Sequence, residues 1–144
     1  MNRSQISLVQ SSFARVYAQK GELADRFYYH LFLGDPTLQP LFKNDFYKQK
    51  EMFLAILAAT VSCMSEADKF RDIGQRLAAA HSNLGITVDQ FENSADALMS
   101  ALKDVMAGQY SNEEEEAWSS AIAHLIELMV EASVAQSADA VPLH

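Results

Sequence analysis

Apolar residues recur along this chain at steps of three and four, with no sustained alternation, which is the pattern of amphipathic helices. A first segment carries Leu8, Phe13, Val16 and Tyr17 and is expected to end at Gly21. A second carries Leu23, Phe27, Tyr28, Leu31 and Phe32 and closes near Gly34. Asp35-Pro36 reads as an N-cap followed by a first-turn proline, opening a short helix that runs to about Phe42. Asn44-Asp45 can cap the next long helix, whose stripe is Phe46, Phe53, Ile56, Leu57, Thr60 and Met64. Ser65 and Asp68 suggest another start, with the stripe Phe70, Ile73, Leu77 and Leu84 closed by Gly85. Thr87 with Gln90, and Ser111 with Glu114, have capping-box spacing. The first box launches a helix with Phe91, Ala95, Leu98, Leu102 and Val105, ended by Gly108. The second launches one with Trp118, Ile122, Leu125 and Met129. From about Ser133 the small residues, Asp139 and Pro142 read as a frayed tail.

Composition strengthens the helical reading. Ala and Leu number 36 against 17 for Val, Ile and Thr together, and proline occurs only at Pro36, Pro40 and Pro142. With no Asn-Gly or Asp-Gly hairpin signal, the expected fold class is all-α. A chain of 144 residues is expected to form one domain over 1–144, burying about two-thirds of its unfolded surface. The single Cys63 cannot form an internal disulfide. The absence of a leader-like segment and of a long apolar run leads us to expect a soluble, cytoplasmic protein. A net charge of −8 argues against nucleic acid or an anionic membrane as the main partner.

Three polar residues fall where apolar ones are expected. His81 lies four residues after Leu77 and three before Leu84, on its helix's apolar stripe, behind three alanines that leave room for something flat. Taken alone, such a histidine is a packed core residue more often than a ligand. One histidine, without a cysteine or carboxylate cluster, cannot build a zinc site. A cofactor that brings its own equatorial ligands needs only this one. Gln49 shares the helical phase of Phe46 and Phe53, although an unpaired buried amide costs roughly 1–3 kcal/mol; alternatively it caps a pocket edge and reaches water. Tyr28 lies within the apolar arc of its helix, where most tyrosines are core residues with the hydroxyl tied to a carbonyl.

Taken together, the order Phe27-Tyr28, Asp35-Pro36, Leu41-Phe42, Gln49, His81, Gly85-Ile86 and Trp118 resembles bacterial single-domain haemoglobins and the globin domain of flavohaemoglobins. The resemblance runs from about Ser7 to Met129. It implies a globin fold gripping haem b (iron protoporphyrin IX) between the helices carrying Gln49 and His81, with His81 as the axial ligand to iron. It further implies that Phe42 stacks on the haem, that Tyr28 and Gln49 form the distal pair and that Phe53 fills the distal wall. Leu77, Ile86 and Phe91 complete the expected cofactor contacts. The implied ligands are diatomic gases: O2, NO and CO.

The sequence departs from that family in two respects. Ten residues after His81, where those relatives commonly have a tyrosine, stands Phe91, which puts the family's polarised proximal imidazole in doubt. There is also no GxGxxG motif, so the electrons for any turnover are expected from a separate reductase. Lys48 is a rival distal residue, since a shift of one position would bring its amine to the iron. Deprotonating it from about 10.4 at neutral pH costs roughly 4.6 kcal/mol; otherwise it is a surface residue able to pair with a haem propionate.

His30, beside Arg26, is expected at the surface, His124 at the edge of the last stripe and His144 in the tail. Cys63 reads as a packing residue. The run Glu113 to Glu116 is a solvated first-turn cap that suits the helix dipole, or a docking surface for a basic reductase. The functions that remain open are oxygen binding or transport, NO dioxygenation with a reductase, a haem-based gas or redox sensor acting through a partner, and a haem-free globin-like regulatory module. Monomer and homodimer are both compatible with the sequence.

Overall fold

The computed structural model describes residues 1–42, 46–82 and 86–140. Among the described residues, six α-helices run in the order α1 (Arg3–Tyr17), α2 (Lys20–Gly34), α3 (Phe46–Ser62), α4 (Ala67–Ser82), α5 (Val88–Val105) and α6 (Asn112–Ala140), with a 3₁₀ helix at Pro36–Leu41 between α2 and α3. The described residues include no strand, and no helix among them is long and apolar enough to cross a membrane. The Asn44-Asp45 cap and the Leu84-Gly85 closure lie outside the described residues.

The chain's own capping chemistry sets most helix starts. The Thr87 hydroxyl accepts from the Gln90 amide N–H while Gln90 Oε1 accepts from the Thr87 N–H. Ser111 and Glu114 reciprocate in the same way before α6. Asp35 caps the 3₁₀ helix by accepting from the Thr37 N–H. A further box, Asn2 with Gln5, starts α1.

Some expected boundaries move. Gly21 does not end α1; it lies in the first turn of α2, and the chain turns at Ala18 and Gln19, where the Gln19 N–H donates to the Val16 carbonyl at 2.8 Å. Both turn residues keep negative φ, so no glycine is required there. Gly108 does the work expected of it, with φ of +81° in the turn after α5. The start of α4 is at Ala67, two residues past Ser65. Past Ser133, α6 continues to Ala140.

Three packing relationships hold the helices around a common core that includes Val9, Val16, Leu23, Leu102 and Trp118. Trp118 of α6 reaches across to Ser12 of α1, its indole N–H donating to the hydroxyl at 2.8 Å. The C-terminal end of α2 docks against α5, where Asn93 donates to the Leu31 carbonyl at 3.1 Å and a Cβ at Gly34 would overlap the Asn93 amide. Against α6, α4 packs closely at Gly74, whose missing Cβ would lie 3.0 Å from the Leu128 side chain.

The glutamate run is not uniformly solvated. Glu114 is buried, and its carboxylate meets Arg15 of α1 at 2.6 Å. Burial raises its pKa, but the Ser111 N–H and the Arg15 guanidinium outweigh that and lower it overall.

Candidate functional site

Helices α2 to α6 enclose a cavity of about 390 Å³. Eight of the nine expected contact residues line it: Tyr28, Phe42, Gln49, Phe53, Leu77, His81, Ile86 and Phe91. They come from four helices and two connections, so the fold gathers residues that are far apart in sequence. Most of the lining is apolar. Leu41, Met52 and Ile56 are among the lining residues yet are 50, 56 and 39% exposed, so the cavity opens to solvent along that edge.

On one wall stands His81, in the last turn of α4. Its Nδ1 lies 2.6 Å from the Leu77 carbonyl oxygen, one turn back in the same helix. A carbonyl only accepts, so Nδ1 carries a proton here, and in the neutral ring Nε2 then holds the lone pair. Phe91 meets the imidazole edge-on, ring centres 5.6 Å apart and planes at 73°. It supplies packing where a tyrosine would add a hydroxyl. The Ile86 N–H donates to the His81 carbonyl at 3.2 Å, tying the connection after α4 to the histidine.

On the wall formed by α2 and α3 are Tyr28 and Gln49. The Gln49 side-chain amide donates to the Tyr28 hydroxyl oxygen at 3.2 Å. That bond uses an acceptor site of the phenol and leaves its proton available to a further acceptor. Burial raises the Tyr28 pKa and the Gln49 bond lowers it by less, so the phenol stays protonated at neutral pH. Phe42, Phe46 and Phe53 each meet the Tyr28 ring edge-on, within 5.0–5.8 Å. Phe53 is also stacked on Phe27, 4.2 Å away and 11° from parallel. The hydroxyl is thus the polar tip of an aromatic cluster.

The globin family model matches residues 25–129, a span that contains every residue lining this cavity. The chain belongs to the globin family. Flavohemoproteins of Bordetella pertussis and Bordetella bronchiseptica are each 24% identical to this globin over 121 residues, covering 81% of it and 30% of their own length. This globin therefore spans under a third of the curated relatives it matches. Among solved structures, a hexacoordinated heme protein from an anhydrobiotic tardigrade superimposes with a TM-score of 0.82 at 17% identity, covering 93% of this globin and 96% of that chain. A bacterial globin from Campylobacter jejuni superimposes with a TM-score of 0.80 at 16% identity, covering 94% and 99%. At such identities the likeness establishes the fold.

The ninth expected residue, Lys48, is exposed and does not line the globin's cavity; Gln49, one position on, does. Of the other histidines, His30 and His124 lie away from the cavity, and His144 lies outside the described residues. His30 pairs with Asp104 at 2.7 Å beside Arg26, and His124 is stacked on Phe70. Cys63 is buried with its thiol toward the Thr60 carbonyl.

Sequence reasoning did not find Met52, Leu38, Leu98, Ser94 or the Phe27–Phe53 stack as parts of this site. Met52 could have been found, because it falls three residues after Gln49 and one before Phe53, on one helical face. Leu38 had no such signal, since a 3₁₀ turn imposes no period long enough to read.

Proposed function

We propose that this globin binds haem b in the cavity between α3 and α4, where His81 would hold the iron, and binds O2, NO or CO reversibly on the side of Tyr28 and Gln49. The observation that carries the reading is the His81 Nδ1–Leu77 carbonyl bond beside the cavity. It holds the Nδ1 proton away from the cavity and so supports Nε2 as a metal ligand, because metal-bound histidines commonly donate their other ring N–H to a carbonyl. The donor set fits the group in other respects. The wall is apolar with few polar atoms, and the exposure of Leu41, Met52 and Ile56 is apolar surface that a flat hydrophobic guest would cover.

Bound haem supplies an iron coordination position for a diatomic ligand. The chain's residues do the rest. His81 would present its Nε2 to the iron. Phe42 would pack against the bound macrocycle, and Leu77, Ile86 and Phe91 would pack around it on the histidine side. Tyr28, steadied by Gln49, donates its phenol proton to a polar ligand held in the cavity, where a hydrogen bond is stronger than in water. Phe53, stacked on Phe27, limits ligand room and excludes water.

With one electron from a separate reductase, the same cavity would serve conversion of NO and O2 to nitrate. The likeness to flavohemoproteins favours this role, although the match covers only 30% of their length. Axial ligation by Lys48 is disfavoured by its position outside the cavity lining.

The test is the absorption spectrum of purified protein after haem reconstitution, in ferric, reduced and reduced-plus-CO forms. A Soret band that shifts on CO binding is expected. Failure to form any Soret complex overturns the reading and favours a haem-free globin-like module. Nitrate yield from NO with a generic reductase then separates dioxygenation from carriage or sensing.

A further inference from the structure

The hydrogen bond from Gln49 to Tyr28 does not stand alone. One residue after Gln49, the Lys50 ammonium lies 2.6 Å from the carboxylate of Asp25, which sits three residues before Tyr28 on α2. The same ammonium lies 4.8 Å from the centre of the Phe46 ring, one helical turn back on α3. Phe46 in turn presents its ring to Tyr28, 5.0 Å away and inclined at 65°. The contacts close a circuit: Asp25 to Lys50, Lys50 to Phe46, Phe46 to Tyr28, and Tyr28 back to Gln49.

Its members differ in what they can specify. The aromatic contacts between α2 and α3 resist separation of the helices but tolerate small rotations of α3, because ring packing has a broad minimum. A charge-assisted bond at 2.6 Å is directional. Lys50 and Gln49 are consecutive, so a rotation of α3 that moves one moves the other. Holding Lys50 against Asp25 therefore restricts where the Gln49 amide can point, while the ammonium over Phe46 holds the ring that flanks the phenol.

We infer that Asp25 and Lys50 are positioning residues that set the Gln49–Tyr28 hydrogen bond from the protein surface, and so make ligand retention in the cavity sensitive to ionic strength. The pair is suited to this because it is open to solvent, with Asp25 61% and Lys50 30% exposed at the side chain. Exposed pairs weaken as salt rises, whereas the phenol they act on is buried. The inference rests on the gas-binding reading only for its consequence; the control of Gln49 by Lys50 belongs to the chain itself.

The experiment has an arm without cofactor and an arm with it. In the apo protein, the side-chain amide resonances of Gln49 are followed by NMR from low salt to about 1 M, where screening extends over only ~3 Å. Lys50→Met, Lys50→Arg and Asp25→Asn are compared under the same conditions. The amide should shift with salt in the unmodified protein and toward the same end point in Lys50→Met and Asp25→Asn. Lys50→Arg, which keeps the charge and the ring contact, should stay near the unmodified position.

In the haem-loaded protein, Lys50→Met and Asp25→Asn should move the C–O stretch of the CO complex and speed oxygen release about two- to fivefold, the range an exposed ion pair can transmit. The double variant should be no worse than either single one. A Gln49 amide indifferent both to salt and to Lys50→Met overturns the inference, as does a Lys50→Arg variant as disruptive as Lys50→Met. If the apo amide responds as expected but no Soret complex forms, the gas-binding reading falls and the positioning circuit stands.

Discussion

The indole N–H of Trp118 donates to the hydroxyl of Ser12 at 2.8 Å, and both residues are almost wholly shielded from solvent. The hydroxyl in turn donates to the Leu8 carbonyl at 2.7 Å, so a small polar chain ties the last helix to the first inside an apolar core. Ser12→Ala removes the acceptor and leaves a buried indole N–H unpaired. A loss of about 1–3 kcal/mol in unfolding free energy is expected, measured by urea denaturation. With Trp118→Phe already in place, adding Ser12→Ala should cost much less, because the stranded donor is gone.

His81→Ala should abolish stable haem retention while leaving the helical content of the apo protein near that of the unmodified chain. The imidazole is only partly buried and its one described hydrogen bond is to a carbonyl within its own helix, so its removal strands little. Far-UV circular dichroism alongside the Soret absorbance separates loss of ligand from loss of fold.

Much of this was legible in the chain. The capping boxes at Thr87 and Ser111 and the Asp35-Pro36 cap are local chemistry, written in three or four consecutive residues, and the structure forms each of them. His81 and Tyr28 were visible as polar residues interrupting apolar stripes. Other features needed the third dimension. Glu114 stands out from the acidic run only as the capping partner of Ser111, and its burial depends on Arg15, which arrives from a helix about a hundred residues away. The pattern put Gln49 in phase with Phe46 and Phe53, but Lys48 stayed a rival because α3 is apolar around much of its circumference and a weak stripe fixes phase poorly. Gly21 misled because a glycine after an amphipathic run usually ends it, whereas here a glycine-free turn comes first.

Tyr28→Phe should speed oxygen release about tenfold, the equivalent of one net hydrogen bond to a polar ligand. Gln49→Leu should have a smaller effect, because the phenol keeps its proton to donate and loses only the amide that steadies it. Stopped-flow displacement of oxygen by CO reads both. An unchanged rate in Tyr28→Phe would remove the phenol from the ligand's reach.

Asp104 accepts from His30 at 2.7 Å and from Arg26 at 2.9 Å, and the His30 bond, followed by that of Arg26, lowers its pKa below the ordinary 3.8. A carboxylate whose folded pKa is depressed contributes stability at pH above its unfolded value, and that contribution is lost as pH falls through the folded value. Asp104→Asn should therefore lower Tm at neutral pH, and the gap to the unmodified protein should narrow below about pH 4. The effect at neutral pH should be small, because solvent screens this partly exposed cluster. Thermal melts from pH 7 to 3 check the sign.

Tyr110 presents the opposite case to Ser12. Its hydroxyl is buried with no hydrogen-bond partner among the described residues, and burial first, then Glu115 and Glu114, raise its pKa far above the usual phenol value. The ring packs against the main core, so its apolar body is useful while its polar tip is not. Burying an unpaired hydroxyl costs free energy that a C–H in the same place does not. Tyr110→Phe keeps the ring and removes the cost, so it should leave stability unchanged or raise it by up to about 1 kcal/mol. A destabilised Tyr110→Phe in urea denaturation would mean that the hydroxyl has a partner, a bound water in the turn between α5 and α6 being the natural one.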